Sequence, residues 1–225
     1  MIADRVRRVL AGIPSHVSVL AAAKTRSVDE IRAAIEGGIR LVGQNYVQEA
    51  QRAIETLGRD AAEWHMIGHL QRNKARTAVR LFDTIETVDS VRLAEAIDRE
   101  AAKIGRVLPI LIEVNSAREP QKSGVLPEET ADLIREIAGL PSIRIEGLMT
   151  MGPLVDDPEE IRPFFAESKR LLDEIAGLRI PNVEMRVLSM GMSDSYRIAI
   201  EEGATLVRLG TVLFGPRAER ASPLP

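Results

Sequence analysis

The feature that most constrains the fold is a regular alternation of short apolar runs and amphipathic segments. Short apolar runs bounded by polar residues and glycines are typical of parallel strands, because such strands are covered on both faces. Each run in this chain leads through a loop into apolar residues at helical spacing. The predicted strands are residues 17–23, 39–42, 64–67, 84–88, 107–114, 143–149, 183–188 and 205–209. The pattern therefore predicts an α/β fold.

Eight strand-loop-helix units within 225 residues favour a single TIM-type (β/α)8 barrel, a fold that takes about 250 residues. A doubly wound sheet is the alternative, but the Gly-x-Gly-x-x-Gly motif expected after its first strand is absent. Apolar residues at helical spacing predict an additional N-terminal helix at residues 1–13. We expect one domain over residues 1–225, with the barrel at about 17–217 and a short tail at 218–225.

Local signals predict where several helices begin. Ser27 followed by Glu30 has the spacing of a capping box, which satisfies two free backbone N–H groups at a helix start. Pro127 suits the first turn of a helix, where its missing N–H costs nothing. The spacing of apolar residues also predicts a helix over 159–175 and only a short helix after the eighth strand.

Composition excludes several classes of protein. The net charge is -3 and aromatic residues make up 3% of the chain, so neither a basic surface nor stacking residues favour nucleic acid or an anionic membrane. The chain has no cysteine, which suits a reducing compartment and rules out a thiolate nucleophile. No apolar run approaches the roughly 18 residues of a membrane span. We expect a cytoplasmic protein with no nucleic acid or membrane partner.

Lys24 is the first candidate for chemistry, because it ends the apolar run of residues 17–23 abruptly. In α/β sheets and barrels, ligands bind at the carboxyl ends of the strands, where this amine would lie. Taken alone, the pattern is better explained by a lysine that begins a solvated loop. A second feature at the same end of the barrel is needed to choose between the two.

Glycine-rich loops after strands seven and eight supply that second feature. Barrels commonly bind phosphate with these two loops. Here they contain Ser193 and the pair Gly210-Thr211, which combine backbone N–H groups with hydroxyl donors. Each loop alone could be an ordinary glycine turn with a capping hydroxyl. Their pairing at the seventh and eighth strands predicts a phosphate site.

A lysine opposite a phosphate site suits a phosphorylated aldehyde, because the amine can condense with the carbonyl while the phosphate is held separately. Pyridoxal 5'-phosphate (PLP) is the predicted cofactor, bound to Lys24 as a Schiff base. Arg208 lies two residues before Gly210 and should point into the barrel, where it could meet the pyridine nitrogen. A guanidinium there disfavours protonation of that nitrogen and weakens the ring as an electron sink.

Other candidate sites carry less weight. His65 and His69 are four residues apart, but a third ligand is not apparent, so no metal site is predicted. Ser193 lacks the Gly-x-Ser-x-Gly context of a nucleophile elbow, which argues against acyl transfer. Lys122 is either a second amine at the barrel mouth or a solvated loop residue. The scattered methionines are expected to fill the core: Met149, Met151, Met190 and Met192.

Seven short motifs lie in order along the chain: Ala-Lys-Thr-Arg at 23–26, Gly-Gln-Asn-Tyr-Val-Gln-Glu at 43–49, Trp-His-Met-Ile-Gly-His-Leu-Gln-Arg-Asn-Lys at 64–74, Lys-Ser-Gly at 122–124, Gly-Leu-Met-Thr-Met at 147–151, Leu-Ser-Met-Gly-Met-Ser at 188–193 and Val-Arg-Leu-Gly-Thr at 207–211. In these motifs and in their order, the chain resembles the pyridoxal phosphate homeostasis protein family. Three positions depart from the family pattern: Gln44 replaces a usual glutamate, Ala23 a common serine and Ser195 a frequent aspartate.

The resemblance implies a barrel similar to the N-terminal domain of alanine racemase, with PLP on Lys24. It implies the following further contacts to the cofactor: Ser193, Gly210 and Thr211 to the phosphate, Arg208 near the pyridine nitrogen, and Asn45 and Met190 along the ring. It also implies a role in intracellular PLP homeostasis through binding, buffering or delivery of the cofactor. PLP-dependent apoenzymes would then be partners of a monomer or weak dimer.

Two enzymatic readings remain as alternatives. One is a PLP-dependent racemase or decarboxylase of the alanine racemase fold, and the other is a lysine Schiff-base aldolase that needs no cofactor. A racemase requires acid-base groups on both faces of its substrate, and in alanine racemase one of them is a tyrosine from a second domain. Tyr46 and Tyr196 are the tyrosines of this chain, and no second domain is expected. We therefore expect no catalytic residue and no turnover.

Overall fold

The computed structural model describes residues 1–216, and within them eight parallel strands form one closed barrel. The strands are β1 (Ser18–Ala22), β2 (Leu41–Gln44), β3 (Glu63–Met66), β4 (Thr84–Val88), β5 (Leu108–Val114), β6 (Ile143–Thr150), β7 (Val183–Ser189) and β8 (Leu206–Leu209). Each strand pairs with the next in sequence, and β8 closes the barrel on β1. This arrangement confirms the predicted TIM-type barrel.

The α-helices of the described residues surround this barrel. They are α1 (Ile2–Ala11), α2 (Val28–Glu36), α3 (Val47–Leu57), α4 (Ala75–Leu81), α5 (Val91–Ala102), α6 (Pro127–Ile137), α7 (Arg162–Gly177), α8 (Tyr196–Glu201) and α9 (Thr211–Phe214). The predicted N-terminal helix is confirmed as α1, which packs against α2 and α9. Within residues 1–216, no helix combines the length and the apolar character that a bilayer crossing requires. The tail predicted at 218–225 lies outside the described residues.

Helix boundaries follow the local signals, with one exception. The capping box is present: Glu30 N–H donates to Ser27 Oγ, and Ser27 N–H donates to the Glu30 carboxylate. The helix predicted to start at 159 begins instead at Arg162, after a short 3-10 turn at Pro158–Ile161. That start was wrong because Pro163 lacks an N–H and cannot donate to a carbonyl one turn earlier.

Most strand residues are buried, as expected of a parallel barrel covered by helices, but residues 183–187 of β7 are half-buried or exposed. All five residues of β4 are buried, and among them Glu86 and Thr87 are fully inaccessible polar residues. Trp64, Phe82 and Phe165 are among the largest fully buried side chains. Because all strands run parallel, their carboxyl ends meet at one mouth of the barrel.

Gly68 allows two neighbouring loops to meet at this mouth. A β-carbon at Gly68 would lie 2.4 Å from the carbonyl oxygen of Asn45 and 2.7 Å from its Cα. Only glycine permits such an approach without displacement of the backbone. The loop after β3 therefore fixes the position of Asn45 at the end of β2.

We expect Gly68→Ala to lower the free energy of unfolding by about 1–3 kcal/mol, which is the usual effect of overpacking. Urea unfolding measures this change. Gly139→Ala is the matched control, because a β-carbon at Gly139 meets no heavy atom within 4 Å. A Gly68→Ala protein as stable as the control would show that the two loops are not closely packed.

Candidate functional site

A cavity of about 290 Å³ opens at the carboxyl ends of the strands, close to the lower end of the size range for ligand pockets. Six of the seven residues predicted to bind the cofactor line it: Lys24, Asn45, Ser193, Arg208, Gly210 and Thr211. They come from the loops after β1, β2 and β7 and from β8 with its following loop. Residues far apart in sequence therefore meet in one cavity.

Met190, the seventh predicted residue, does not line this cavity. It is fully buried in the hydrophobic core, as is Met149. Met151 and Met192 line the cavity instead, and both are more than one third exposed. Gly191 has a φ of 89°, so the chain turns sharply after β7 and strand alternation no longer decides where Met192 points. The expectation of core filling therefore holds only for the two buried methionines.

The half-buried Lys24 follows β1 in a turn of unusual geometry. Thr25 has a φ of 64°, which is rare for a β-branched residue. Its N–H donates to Oε2 of Glu49 at 3.1 Å, which helps to hold the turn against this strain. The Nζ of Lys24 lies 5.6 Å from the ring centre of Tyr46, within cation–π range. The turn at Thr25 and the ring of Tyr46 therefore both help to position the amine.

Ser193 joins the two loops that the sequence assigns to phosphate. Its Oγ accepts hydrogen bonds from the N–H groups of Gly210 at 3.2 Å and Val212 at 3.3 Å. Because both contacts use the oxygen as an acceptor, the hydroxyl hydrogen can be donated to a ligand. Thr211 is exposed at the start of α9 and offers a second hydroxyl on the same side.

Arg208 occupies the floor of the cavity and is 3% exposed. Its Nη1 donates to Ser189 Oγ and its Nη2 to the carbonyl oxygen of Thr150, both at 2.7 Å. These contacts fix the plane of the guanidinium between β7 and β6. Burial lowers the pKa of Arg208, although the negative charge of Glu86 opposes that shift. Arginine nevertheless stays charged in proteins.

Beneath Arg208, a chain of buried hydrogen bonds crosses the barrel interior. Ser189 Oγ donates to Oε2 of Glu86 at 2.6 Å, and Oε1 of Glu86 lies 2.7 Å from His65 Nδ1. His65 Nε2 lies 3.3 Å from Oε1 of Glu63, which is partly exposed. Arg208 is therefore connected through β7, β4 and β3 to a carboxylate at the start of β3.

The charges of this network determine the pKa values of its members. Burial alone would lower the pKa of His65, but its hydrogen bonds with Glu63 and Glu86 raise it to about 9. Burial would raise the pKa of Glu86, but the hydrogen bond from His65 and the charges of His65 and Arg208 hold it below its usual value. His65 and Glu86 therefore form a buried ion pair near neutral pH.

Sequence reasoning missed this network and one further cation. Glu86 lies in the middle of a predicted buried strand, which is a signal because buried carboxylates are rare unless paired. Arg26 lines the cavity, stacks 5.1 Å from the centre of the Phe214 ring and donates to the carbonyl oxygen of Gly215 at 2.6 Å. Its position two residues after Lys24, in the same loop, could have suggested it.

Comparison with known proteins places this site in context. The family model for the alanine racemase N-terminal domain matches residues 2–218. The pyridoxal phosphate homeostasis protein of Aquifex aeolicus is 41% identical over 199 residues, which is 88% of this chain and 86% of that protein. PipY of Synechococcus elongatus, solved with PLP bound, is 35% identical with a TM-score of 0.88, over 96% of this chain and all of PipY.

Alanine racemase of Clostridium difficile shares the fold at lower sequence similarity. It is 15% identical with a TM-score of 0.80, and the match covers 96% of this chain and 56% of the racemase. At this identity the likeness concerns the barrel alone.

The His65–Glu86 pair predicts a pH dependence of stability. The pKa of His65 is raised from 6.5 to about 9 in the folded chain. The contribution of this protonated side chain to the free energy of unfolding is therefore complete below pH 6.5 and is lost as the pH rises through 9. We expect the free energy of unfolding to fall by a few kcal/mol over this interval, since one pKa unit corresponds to about 1.4 kcal/mol. Urea unfolding at a series of pH values measures it.

His65→Gln should remove most of this pH dependence, whereas His16→Gln, at an exposed position, should preserve it. A wild-type stability that stays constant or rises over the same interval would contradict a protonated, buried His65.

Proposed function

Since the chain belongs to the pyridoxal phosphate homeostasis protein family, we propose that it binds PLP and serves intracellular homeostasis of this cofactor by binding, buffering or delivering it. The observation that carries the proposal is one cavity lined by an amine, two hydroxyls and a buried guanidinium: Lys24, Ser193, Thr211 and Arg208. This donor set matches the aldehyde, the phosphate and the ring nitrogen of PLP. The proposal treats residues 1–225 as one binding domain.

Each lining residue has a proposed role. Lys24 would hold the aldehyde carbon of PLP covalently through its Nζ, with loss of water. Ser193, Thr211 and the backbone of Gly210 would bind the phosphate, and Arg26, which is paired with Glu30, lines the same cavity. The remaining contacts to the ring come from three side chains: Asn45 and Met192 along its face or edge, and Arg208 at the pyridine nitrogen. Met192 takes the role that the sequence assigned to Met190, because Met192 lines the cavity.

We propose further that the protein holds the cofactor without turnover. Bound PLP supplies an electrophilic carbon and an electron-withdrawing ring, and the ring withdraws electrons best when its nitrogen is protonated. Arg208 opposes that protonation, and its contacts with Ser189 and Thr150 keep the guanidinium in place. Tyr46, whose ring centre lies 5.6 Å from the Nζ of Lys24, is not among the residues that line this cavity.

The biological setting follows from the same proposal. PLP-dependent apoenzymes are the proposed recipients of the cofactor, and the protein is proposed to act as a monomer or weak dimer. A cytoplasmic location suits a chain of 225 residues without cysteine, because cytosolic proteins keep no structural disulfides.

We expect purified protein mixed with PLP to show the near-visible absorbance of a Schiff base, which borohydride reduction shifts. Lys24→Ala should abolish this absorbance and the covalent adduct seen by mass spectrometry after reduction. Lys103→Ala is the control, because Lys103 is exposed on the outside of the barrel and pairs with Glu100. Absence of this absorbance after PLP is added would contradict cofactor binding. Turnover of an amino acid that is lost in Lys24→Ala would show that the protein is an enzyme.

The phosphate contacts predict a selective loss of affinity. Ser193→Ala combined with Thr211→Val should weaken binding of PLP at least about tenfold, because hydrogen bonds to a charged group are lost. Binding of pyridoxal, which has no phosphate, should change much less. Fluorescence or absorbance titration with both compounds measures the difference, and equal losses for the two would contradict a phosphate site at these residues.

A further inference from the structure

A second cavity of about 440 Å³ lies at the same mouth of the barrel, beside the cavity of Lys24. The two cavities share four lining residues: Asn45, Ile67, Met151 and Met192. The rest of its wall comes from Gly68 and His69 after β3, from the ends of β5 and β6 and from the loops that follow those two strands. Of the residues proposed to contact PLP, Asn45 and Met192 border both cavities, and the others line only the cavity of Lys24.

Glu113 is a buried carboxylate in the wall of this cavity. It lies near the end of β5, is 6% exposed and lines the wall. Its Oε1 accepts a hydrogen bond from Ser123 Oγ at 3.0 Å, but its Oε2 has no hydrogen-bond partner among residues 1–216. A buried carboxylate oxygen without a partner is unfavourable, so this atom marks a position where a ligand donor would gain binding energy.

The unpartnered carboxylate oxygen of Glu113 favours a cation in that position. Lys122 lines the same cavity, but it pairs with Glu119 and donates to the carbonyl oxygen of Gly152 at 3.1 Å. Burial raises the pKa of Glu113, and the negative charge of Asp89 adds to this shift, while the hydrogen bond from Ser123 and the charges of Arg208 and His69 oppose it. A cationic ligand would restore the ionised carboxylate, whereas an anionic ligand would be repelled by it.

Part of the remaining wall is suited to an aliphatic body, alongside polar residues of the loop after β5. The apolar side chains of the cavity are Ile67, Val114, Ala117, Met151, Pro153, Leu154 and Met192. We propose that the second cavity binds a small primary amine, whose ammonium group donates to Oε2 of Glu113 and whose hydrocarbon chain packs on these residues. The proposal goes beyond PLP binding and does not depend on it, because the cavity and the free carboxylate oxygen exist without the cofactor.

The test is calorimetric titration of the full chain with n-butylammonium chloride, with 1-butanol and sodium butyrate as isosteric neutral and anionic probes. We expect saturable binding of the ammonium with a stoichiometry of one, and weaker binding of both other probes. The titration is carried out on wild type without PLP and on Lys24→Ala. Because Lys24→Ala cannot form the Schiff base, binding there separates this proposal from the proposed function.

Two variants test the role of the carboxylate. Glu113→Gln should weaken n-butylammonium at least about tenfold, because a charge-assisted hydrogen bond is lost. Glu95→Gln, at an exposed position on α5, should bind as wild type does. Absence of saturable ammonium binding, tighter binding of butyrate, or equal affinity of Glu113→Gln and wild type would each overturn the proposal.

A second measurement on wild type covers the case in which Glu113→Gln does not fold. Carbon-13 NMR of protein labelled at the glutamate carboxyl carbon should show one carboxyl with a raised pKa, and n-butylammonium should lower that value. A raised pKa that does not respond to the amine would overturn the proposal.

Discussion

The guanidinium of Arg208 is buried inside the barrel, and much of the site depends on how this charge is stabilised. An isolated cation in a protein interior is strongly unfavourable unless it is paired and hydrogen-bonded. Ser189 links Arg208 to Glu86 through two short hydrogen bonds, and Glu86 in turn pairs with His65. These residues lie on β8, β7, β4 and β3, so the pairing constrains strands on opposite sides of the barrel.

The mouth combines this rigid floor with loops that are fixed by local contacts. Arg208 is held by the strands, whereas Lys24 is held by a left-handed turn at Thr25 that Glu49 supports. Ser193 connects the loops after β7 and β8 through two backbone N–H groups. A ligand with an aldehyde at one end and a phosphate at the other would therefore meet an amine fixed by the loop after β1 and hydrogen-bond donors fixed by the loops after β7 and β8. Groups that are already in place before the ligand arrives favour preorganised binding.

The two cavities at the mouth differ in charge. The cavity of Lys24 is lined by the cationic side chains of Lys24, Arg26 and Arg208 and by Asp194, and Arg26 is itself paired with Glu30. The cationic side chains outnumber the carboxylate in this lining, which suits an anionic phosphate. In the neighbouring cavity the buried Glu113 has Asp89 nearby, and Lys122 is neutralised by Glu119. Ligands of opposite charge would therefore be directed to adjacent positions, since lining charges of one sign raise the local concentration of the opposite ion.

The sequence by itself determined the barrel, the position of Lys24 at its mouth and the pairing of the loops that contain Ser193 and Gly210. These features follow from periodicities of two and 3.6 residues and from the rule that parallel strands end at one edge. The tertiary structure decided that Met192 rather than Met190 faces the cavity, that Glu86 supports Arg208, and that Glu113 lacks a partner. Those outcomes depend on contacts across the barrel and on the left-handed backbone at Gly191, which local patterns do not encode.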